Sequence, residues 1–314
     1  MQRSNLAEKQ QQPKASRGLL KSIKRGAIVR PVRVVLYGPE GIGKSTFAAN
    51  APSPIFLGAE EGTSQLDVAR LPEPRCWQDV LDAIDELATE DHDFKTLVLD
   101  TLDWLEPLCW QEVCRTGGKE NVEDFGFGKG YVAALDLWRG LLARIDAMRN
   151  AKGLHVVALA HTWIRPFNNP VGDNFDRYEL KLHTKSSGLW KEWCDALLFS
   201  QYETFTKKLD GGKVRAVSTG ARVVHTTRNA AWDAKSRYPL PETIALDWSE
   251  FWGAVERGAP DSPERLSAAI ASMLDAVPAD TRKRVEAAIA KASGNAVELA
   301  RIANRLSAIV NSQE

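Results

Sequence analysis

The residues with the most chemistry in this 314-residue chain run from Gly38 to Thr46: Gly38-Pro39-Glu40-Gly41-Ile42-Gly43-Lys44-Ser45-Thr46. Their spacing is the phosphate-binding pattern G-x-x-x-x-G-K-[ST]. An apolar run (Val34, Val35, Leu36, Tyr37) precedes it and a helix-compatible stretch (Thr46, Phe47, Ala48, Ala49) follows. Glycines let successive backbone N–H groups turn toward an anion, and a helix N-terminus adds its positive end. Lys44 would bring a mobile charge to the β- and γ-phosphates, and the Ser45 hydroxyl is a ligand for Mg²⁺. The stretch predicts binding of a nucleoside triphosphate together with magnesium.

Hydrolysis needs further groups. Asp100 closes the apolar run Phe94–Leu99 and is placed to hold Mg²⁺ through water beside Ser45; its alternative is to cap a turn. Glu60 and Glu61 follow a second short apolar run, Pro54–Gly58. Either carboxylate suits the orientation and deprotonation of an attacking water, or remains a solvated loop acid. His161 ends a further run, Leu154–Ala160. It reads equally as a sensor of the γ-phosphate and as a hydrogen-bonded core histidine. His92, His155, His183 and His225 share no ligand spacing, so no zinc site is predicted. Cys76, Cys109, Cys114 and Cys194 lack C-x-x-C spacing and read as reduced thiols of a cytosolic protein.

The elements that must position these groups alternate strand and helix, which predicts an α/β fold. It has a mostly parallel sheet, helices on both faces and antiparallel edge strands. In such sheets ligands sit beyond the carboxyl ends of the strands, so Gly38–Ser45, Glu60, Asp100 and His161 are expected along one edge. Periodicity places helices over 77–88, 102–114 and 131–149, with Pro107 limiting where the second begins. A Gly- and charge-rich loop is expected at 117–130 and a second long loop or hairpin over 163–188. A short helix follows at 189–194, then a strand at 196–199. Residues 201–208 and 213–228 read as antiparallel edge strands joined at Asp210-Gly211-Gly212.

Residues 1–33 carry nine basic side chains and one acid. Residues 1–28 read as a flexible arm, either a solvated tail or one that touches nucleic-acid phosphates or a neighbouring subunit. Residues 254–314 hold eight acids and eight bases in helical patterns and read as a small helical appendage. The expected division is therefore 1–30, 31–253 and 254–314. The net charge of zero provides no global field for nucleic acid, and no apolar run of about 18 residues predicts a membrane span.

Over residues 31–253 the chain resembles the RecA-like ATPase core of phage-encoded nucleotide-binding proteins, a family that includes short RecA-like recombinases and single-strand annealing proteins. The resemblance rests on Gly38–Ser45, Phe56-Leu57-Gly58-Ala59-Glu60, Leu97-Val98-Leu99-Asp100-Thr101 and Val157-Ala158-Leu159-Ala160-His161. It implies an ATPase using ATP and Mg²⁺, with Glu60 as catalytic base and His161 as γ-phosphate sensor, in the host-cell cytoplasm. It also implies that loops 115–130 and 162–188 hold single-stranded DNA, through Lys119, Phe125, Phe127 and Lys129 in one and Trp163, Arg165, Phe167, Arg177 and Tyr178 in the other. Lys235-Ser236-Arg237 resembles the Lys-x-Arg element that related proteins direct into a neighbour's nucleotide site. That implies a homo-oligomer, ring or filament, working with phage or host replication or recombination proteins. The sequence departs from bacterial recombinases in having histidine rather than glutamine at His161, and Gly58 where many carry an acid. The alternative is a P-loop motor or loader acting on a protein partner without binding DNA.

Overall fold

The structure is a computed structural model; it describes residues 30–58, 61–208, 214–258, 262–274, 276–292 and 294–311. The expected basic arm, Glu60 and the Asp210–Gly212 turn lie outside the described residues.

The sheet is built from β1 (Arg33–Gly38), β2 (Pro54–Gly58), β3 (Ala69–Arg70), β4 (Thr96–Asp100), β5 (His155–Phe167), β7 (Ala196–Lys208), β8 (Val214–His225) and β10 (Thr243–Ala245). They lie in the order β10-β8-β7-β1-β5-β4-β2-β3. β6 (Phe175–Leu180) pairs with the far half of β5, and β9 (Lys235–Ser236) pairs with the start of β7. The strands β1, β2, β4, β5 and the first residues of β7 run parallel. β7 then continues as the antiparallel partner of β8, so the strands expected at 196–199 and 201–208 are one.

Helices α2 (Trp77–Thr89), α3 (Leu102–Gly117), α4 (Lys129–Lys152) and α5 (Thr184–Trp193) cover one face of the sheet. Their apolar sides meet Val35, Tyr37, Leu97, Leu99, Val156 and Ala158, while an edge-to-face chain of Trp77, Trp138, Trp190 and Trp193 fills the layer. On the other face α1 (Lys44–Ala49) and α6 (Trp248–Arg257) pack Phe47, Trp248 and Phe251 against Val34, Leu36, Val157 and Leu198. Fully buried parallel strands need apolar residues on both faces, which explains why β1, β4 and β5 read as unbroken apolar runs. The helices α7 (Pro263–Leu274), α8 (Ala279–Ala292) and α9 (Ala296–Asn311) have a cluster of their own around Ile270, Leu299 and Leu306. No described helix is long and apolar enough to cross a membrane.

Some boundaries differ from expectation for physical reasons. α3 runs through Pro107, which forfeits one backbone bond near the helix start, and ends at Gly117 with Gly118 in the left-handed region (φ 61°). The stretch 163–188 folds as the β5–β6 hairpin followed by α5. That helix begins earlier than the expected residue 189, because the His183 ring accepts from Lys185 N–H at 3.3 Å and caps it.

Candidate nucleotide site

β1 delivers the phosphate loop at the carboxyl edge of the sheet. Gly38, its last residue, is paired with His161 of β5 on one side. On the other it lies so close to β7 that a Cβ would come within 2.2 Å of Ser200 Oγ and 2.5 Å of Ser200 O. Gly41 (φ 70°) and Gly43 (φ 105°) take backbone angles in the left-handed region, while Ile42 between them is fully buried and anchors the loop. Lys44 is buried, and its Nζ donates to the carbonyls of Gly38 at 3.2 Å and Pro39 at 3.0 Å. Pro39 and Ser45 are half-buried, whereas Glu40 and Thr46 are exposed.

The sheet order sets the other groups around this loop. β5 stands between β1 and β4, so Asp100 approaches from two strands away, paired in register with Gly58 of β2 and buried. His161 lies inside β5, where pairing with β1 ends and pairing with β6 begins. Its ring is held by a residue that sequence reasoning missed. Asp103, in the first turn of α3, accepts from His161 N–H at 2.9 Å and meets His161 Nδ1 at 2.8 Å. Burial alone would raise the Asp103 carboxyl, but the hydrogen bonds from His161 outweigh it and hold the group below the usual carboxylate range. An ionised Asp103 fixes the proton on Nδ1 and leaves Nε2 as the ring's remaining polar atom.

Glu60 comes two residues after the end of β2 in sequence and lies outside the described residues. Downstream of it, Arg70 of β3 ties the returning segment together: Nε donates to Thr63 Oγ1 at 2.9 Å, Nη1 to Val68 O at 2.9 Å and Nη2 to Leu66 O at 2.5 Å.

The donor set fits a nucleotide with Mg²⁺. Lys44 is folded onto loop carbonyls that are weaker partners than phosphate oxygens, and Ser45 and Asp100 are the hard oxygen donors that Mg²⁺ takes. Among the described residues no group of three or more His, Cys, Asp or Glu could hold a metal.

The residues expected to meet DNA fall into two groups. In the connection between α3 and α4, Lys119 and Lys129 are exposed, and Phe127 is fully solvent-accessible (104%). Phe127 has φ 50° between Gly126 (φ 66°) and Gly128 (φ 67°), so three successive left-handed residues hold the ring outward. Phe125 of the same loop packs inward and touches Gly117. In the β5–β6 hairpin the Arg165 guanidinium lies 3.7 Å from the centroid of Trp163, and Phe167 packs on Phe175 at 5.1 Å. Arg177 and Tyr178 face inward instead. Arg177 is buried in an ion pair with Asp233, and the Tyr178 ring packs at a tilt against Phe199, centroids 5.0 Å apart. The two segments meet where Tyr131 of α4 stacks on His183 at 4.0 Å and bonds Glu123.

The hairpin is tied to the phosphate loop. Lys181, just past β6, donates its N–H to His161 O at 2.9 Å, and its Nζ lies 4.0 Å from Glu40.

Lys235 and Arg237 lie at the opposite edge of the sheet, since β9 pairs with the first residues of β7. Lys235 Nζ donates to Glu192 O at 3.2 Å, and the exposed Arg237 pairs with Asp195 at 2.9 Å. Asp195 also binds Arg33 at 2.8 Å, and Arg33 reaches Asp146 at 3.3 Å, a network with no cue in local sequence. Lys235 and Arg237 thus stand at the end of the sheet opposite the phosphate loop, which follows the last residue of β1.

A family model described as an AAA domain matches residues 30–238. No curated protein matches the chain. Among solved structures, the crystal structure of the RadB recombinase is similar at 14% identity, over 62% of this chain and 79% of that one, with a TM-score of 0.35. With the topology above, the family match gives the architecture its description: an α/β P-loop nucleoside triphosphatase fold.

Proposed function

The chain belongs to the AAA domain family, and from that premise we propose that it is an Mg²⁺-dependent, RecA-like ATPase that binds single-stranded DNA in recombination, annealing or replication of the phage type. The observation that carries the reading is the convergence of Gly38–Ser45, Asp100 and the His161–Asp103 pair on one sheet edge.

In this reading the backbone of Gly38–Thr46 wraps the phosphates, and Lys44 exchanges its loop carbonyls for β- and γ-phosphate oxygens. Ser45 and Asp100 would hold Mg²⁺, which neutralises charge developing on the phosphates. Glu60 orients and deprotonates the attacking water. His161 meets the γ-phosphate side through Nε2 while Asp103 fixes its tautomer. Because His161 is the foot of the β5–β6 hairpin, a change in its contacts reaches Trp163 and Arg165 through one strand. Lys235 and Arg237, far from their own phosphate loop, are suited to act on a neighbouring subunit's nucleotide in a homo-oligomer.

The DNA part of the proposal is supported by exposed Lys119, Phe127 and Lys129 in one segment and by the Trp163–Arg165 stack in the other, two segments that meet at Tyr131 and His183. Cations follow a phosphate backbone, and aromatic faces accept bases without sequence preference. Holding a phenylalanine at positive φ and full exposure costs stability, and such strain concentrates at functional positions. Arg177, buried, and Tyr178, half-buried against Phe199, are left out of this surface. ATP turnover with and without single-stranded DNA, with Lys44→Ala as control, tests the reading. Turnover that depends on Lys44 but ignores DNA, with no DNA binding at low salt, would replace it with a motor or loader acting on protein.

A further inference from the structure

We propose that Glu106 is a positioning residue that ties both segments of the DNA surface to the end of β4, by holding the backbone N–H of His183. The inference rests on the function proposed above and adds a second route between its two sites, separate from His161. Glu106 is buried in the second turn of α3, and its Oε2 accepts from His183 N–H at 2.9 Å. One turn earlier on the same helix, Asp103 accepts from His161 N–H at 2.9 Å. His161 and His183 flank the β5–β6 hairpin, so two carboxyl groups three residues apart hold both of its feet. α3 starts at Leu102 with Thr101 as its N-cap, directly after Asp100. Both groups therefore ride on the segment that leaves the Asp100 end of β4.

The residue that Glu106 holds is a junction. The His183 ring stacks on Tyr131 at 4.0 Å, and Tyr131 lies in the first turn of α4, two residues after Lys129. The same ring accepts from Lys185 N–H at the start of α5. The next residue, Thr184, accepts from Arg165 Nη1 of the hairpin at 3.3 Å. A shift of His183 thus reaches Lys129 through Tyr131, and Arg165 through Thr184. Coupling between distant sites is carried by such packed, hydrogen-bonded contacts between rigid elements.

Burying a carboxyl group costs stability unless it is well bonded. Burial pushes the Glu106 carboxyl above its ordinary range, against hydrogen bonds from Ser186 and His183 N–H. Asp103 adds to the upward push, while Arg165 opposes it. What the carboxyl supplies that an apolar side chain would not is the acceptor for His183 N–H. The upward shift favours the neutral acid, whose nearest mimic is glutamine. Methionine and leucine fill similar space without an oxygen acceptor.

The experiment compares the full-length wild type with Glu106→Gln, Glu106→Met and Glu106→Leu, with ligand-free melting temperatures as the fold control. Binding of the magnesium complex of β,γ-imido-ATP is measured by calorimetry. Hydrogen exchange of residues 162–182 and fluorescence titration with oligothymidylate are then run with and without that analogue. In wild type the analogue should change exchange in the hairpin and tighten oligothymidylate binding by about fivefold or more. Glu106→Gln should keep both responses. Glu106→Met and Glu106→Leu should lose both, while binding the analogue within about threefold of wild type. Full responses in the methionine and leucine variants, or their loss in Glu106→Gln, would overturn the proposal. So would a wild-type hairpin whose exchange ignores the bound analogue, an outcome that does not depend on DNA binding. Analogue affinity that falls in step with melting temperature marks a merely structural role and overturns it as well. A wild-type chain that does not bind the analogue would instead overturn the nucleotide reading itself.

Discussion

Replacing Gly38 with alanine probes the point where fold and site are the same residue. The added methyl would stand 2.2 Å from Ser200 Oγ, 2.5 Å from Ser200 O and 3.3 Å from Ser200 C, where ordinary contact begins near 3.4 Å. A rotamer change can clear the hydroxyl, but the carbonyl belongs to the β7 backbone, so β1 and β7 must separate by roughly 1 Å at this point. Ser200 is fully buried, and its hydroxyl donates to Tyr37 O at 3.2 Å, a bond that the separation also weakens. Overpacking costs about 1–3 kcal/mol and a lost buried hydrogen bond about 1 kcal/mol, giving roughly 2–4 kcal/mol in all. For a domain of this size that corresponds to a fall of roughly 5–12 °C in melting temperature. Because Gly38 opens the phosphate loop, Mg·ATP affinity should fall by about tenfold or more in the same variant. Calorimetric melting and a nucleotide titration, run on Gly38→Ala, Ser200→Ala and the double variant, make the assay. Removing the Ser200 hydroxyl leaves the 2.5 Å carbonyl conflict, so the double variant should recover only part of the loss. A Gly38→Ala protein that melts within about 2 °C of wild type, or full rescue by Ser200→Ala, would refute the reasoning.

Two other outcomes follow from particular side chains. His155 accepts from Val32 N–H at 3.0 Å, and burial, with a smaller contribution from Arg149, lowers its pKa to about 4. A depressed histidine contributes stability that is full above the unfolded value near 6.5 and is lost as pH falls toward 4. After allowance for partial solvent access, wild type should lose about 1–2 kcal/mol more than His155→Asn between pH 7 and pH 5, and parallel urea-unfolding profiles would contradict this. Phe127→Gly should melt no lower than wild type, since the exposed ring sits at positive φ, yet bind single-stranded DNA about tenfold more weakly in a fluorescence titration; equal affinity would remove Phe127 from the DNA surface.

The parts of the site legible in the sequence are those fixed by local pattern plus strand order. Gly38–Ser45 announces itself by spacing, and Asp100 and His161 by closing apolar runs that could only be buried parallel strands. Once those strands lie side by side, their ends must share an edge. What the sequence hides is non-local. Asp103 reads as an ordinary first-turn acid of α3, and only the neighbouring β5 makes it the partner of His161. Arg177 and Tyr178 look like loop residues amid Pro, Gly and Asn; the hairpin turns them toward Asp233 and Phe199, which lie far along the chain.

The most direct test of the central claim is the rate of ATP hydrolysis by the full chain in Mg²⁺, measured with and without single-stranded DNA and beside Lys44→Ala. The account predicts turnover that requires Lys44 and rises with DNA. Hydrolysis that persists undiminished in Lys44→Ala, or a wild-type chain that neither binds nor hydrolyses Mg·ATP, would contradict it.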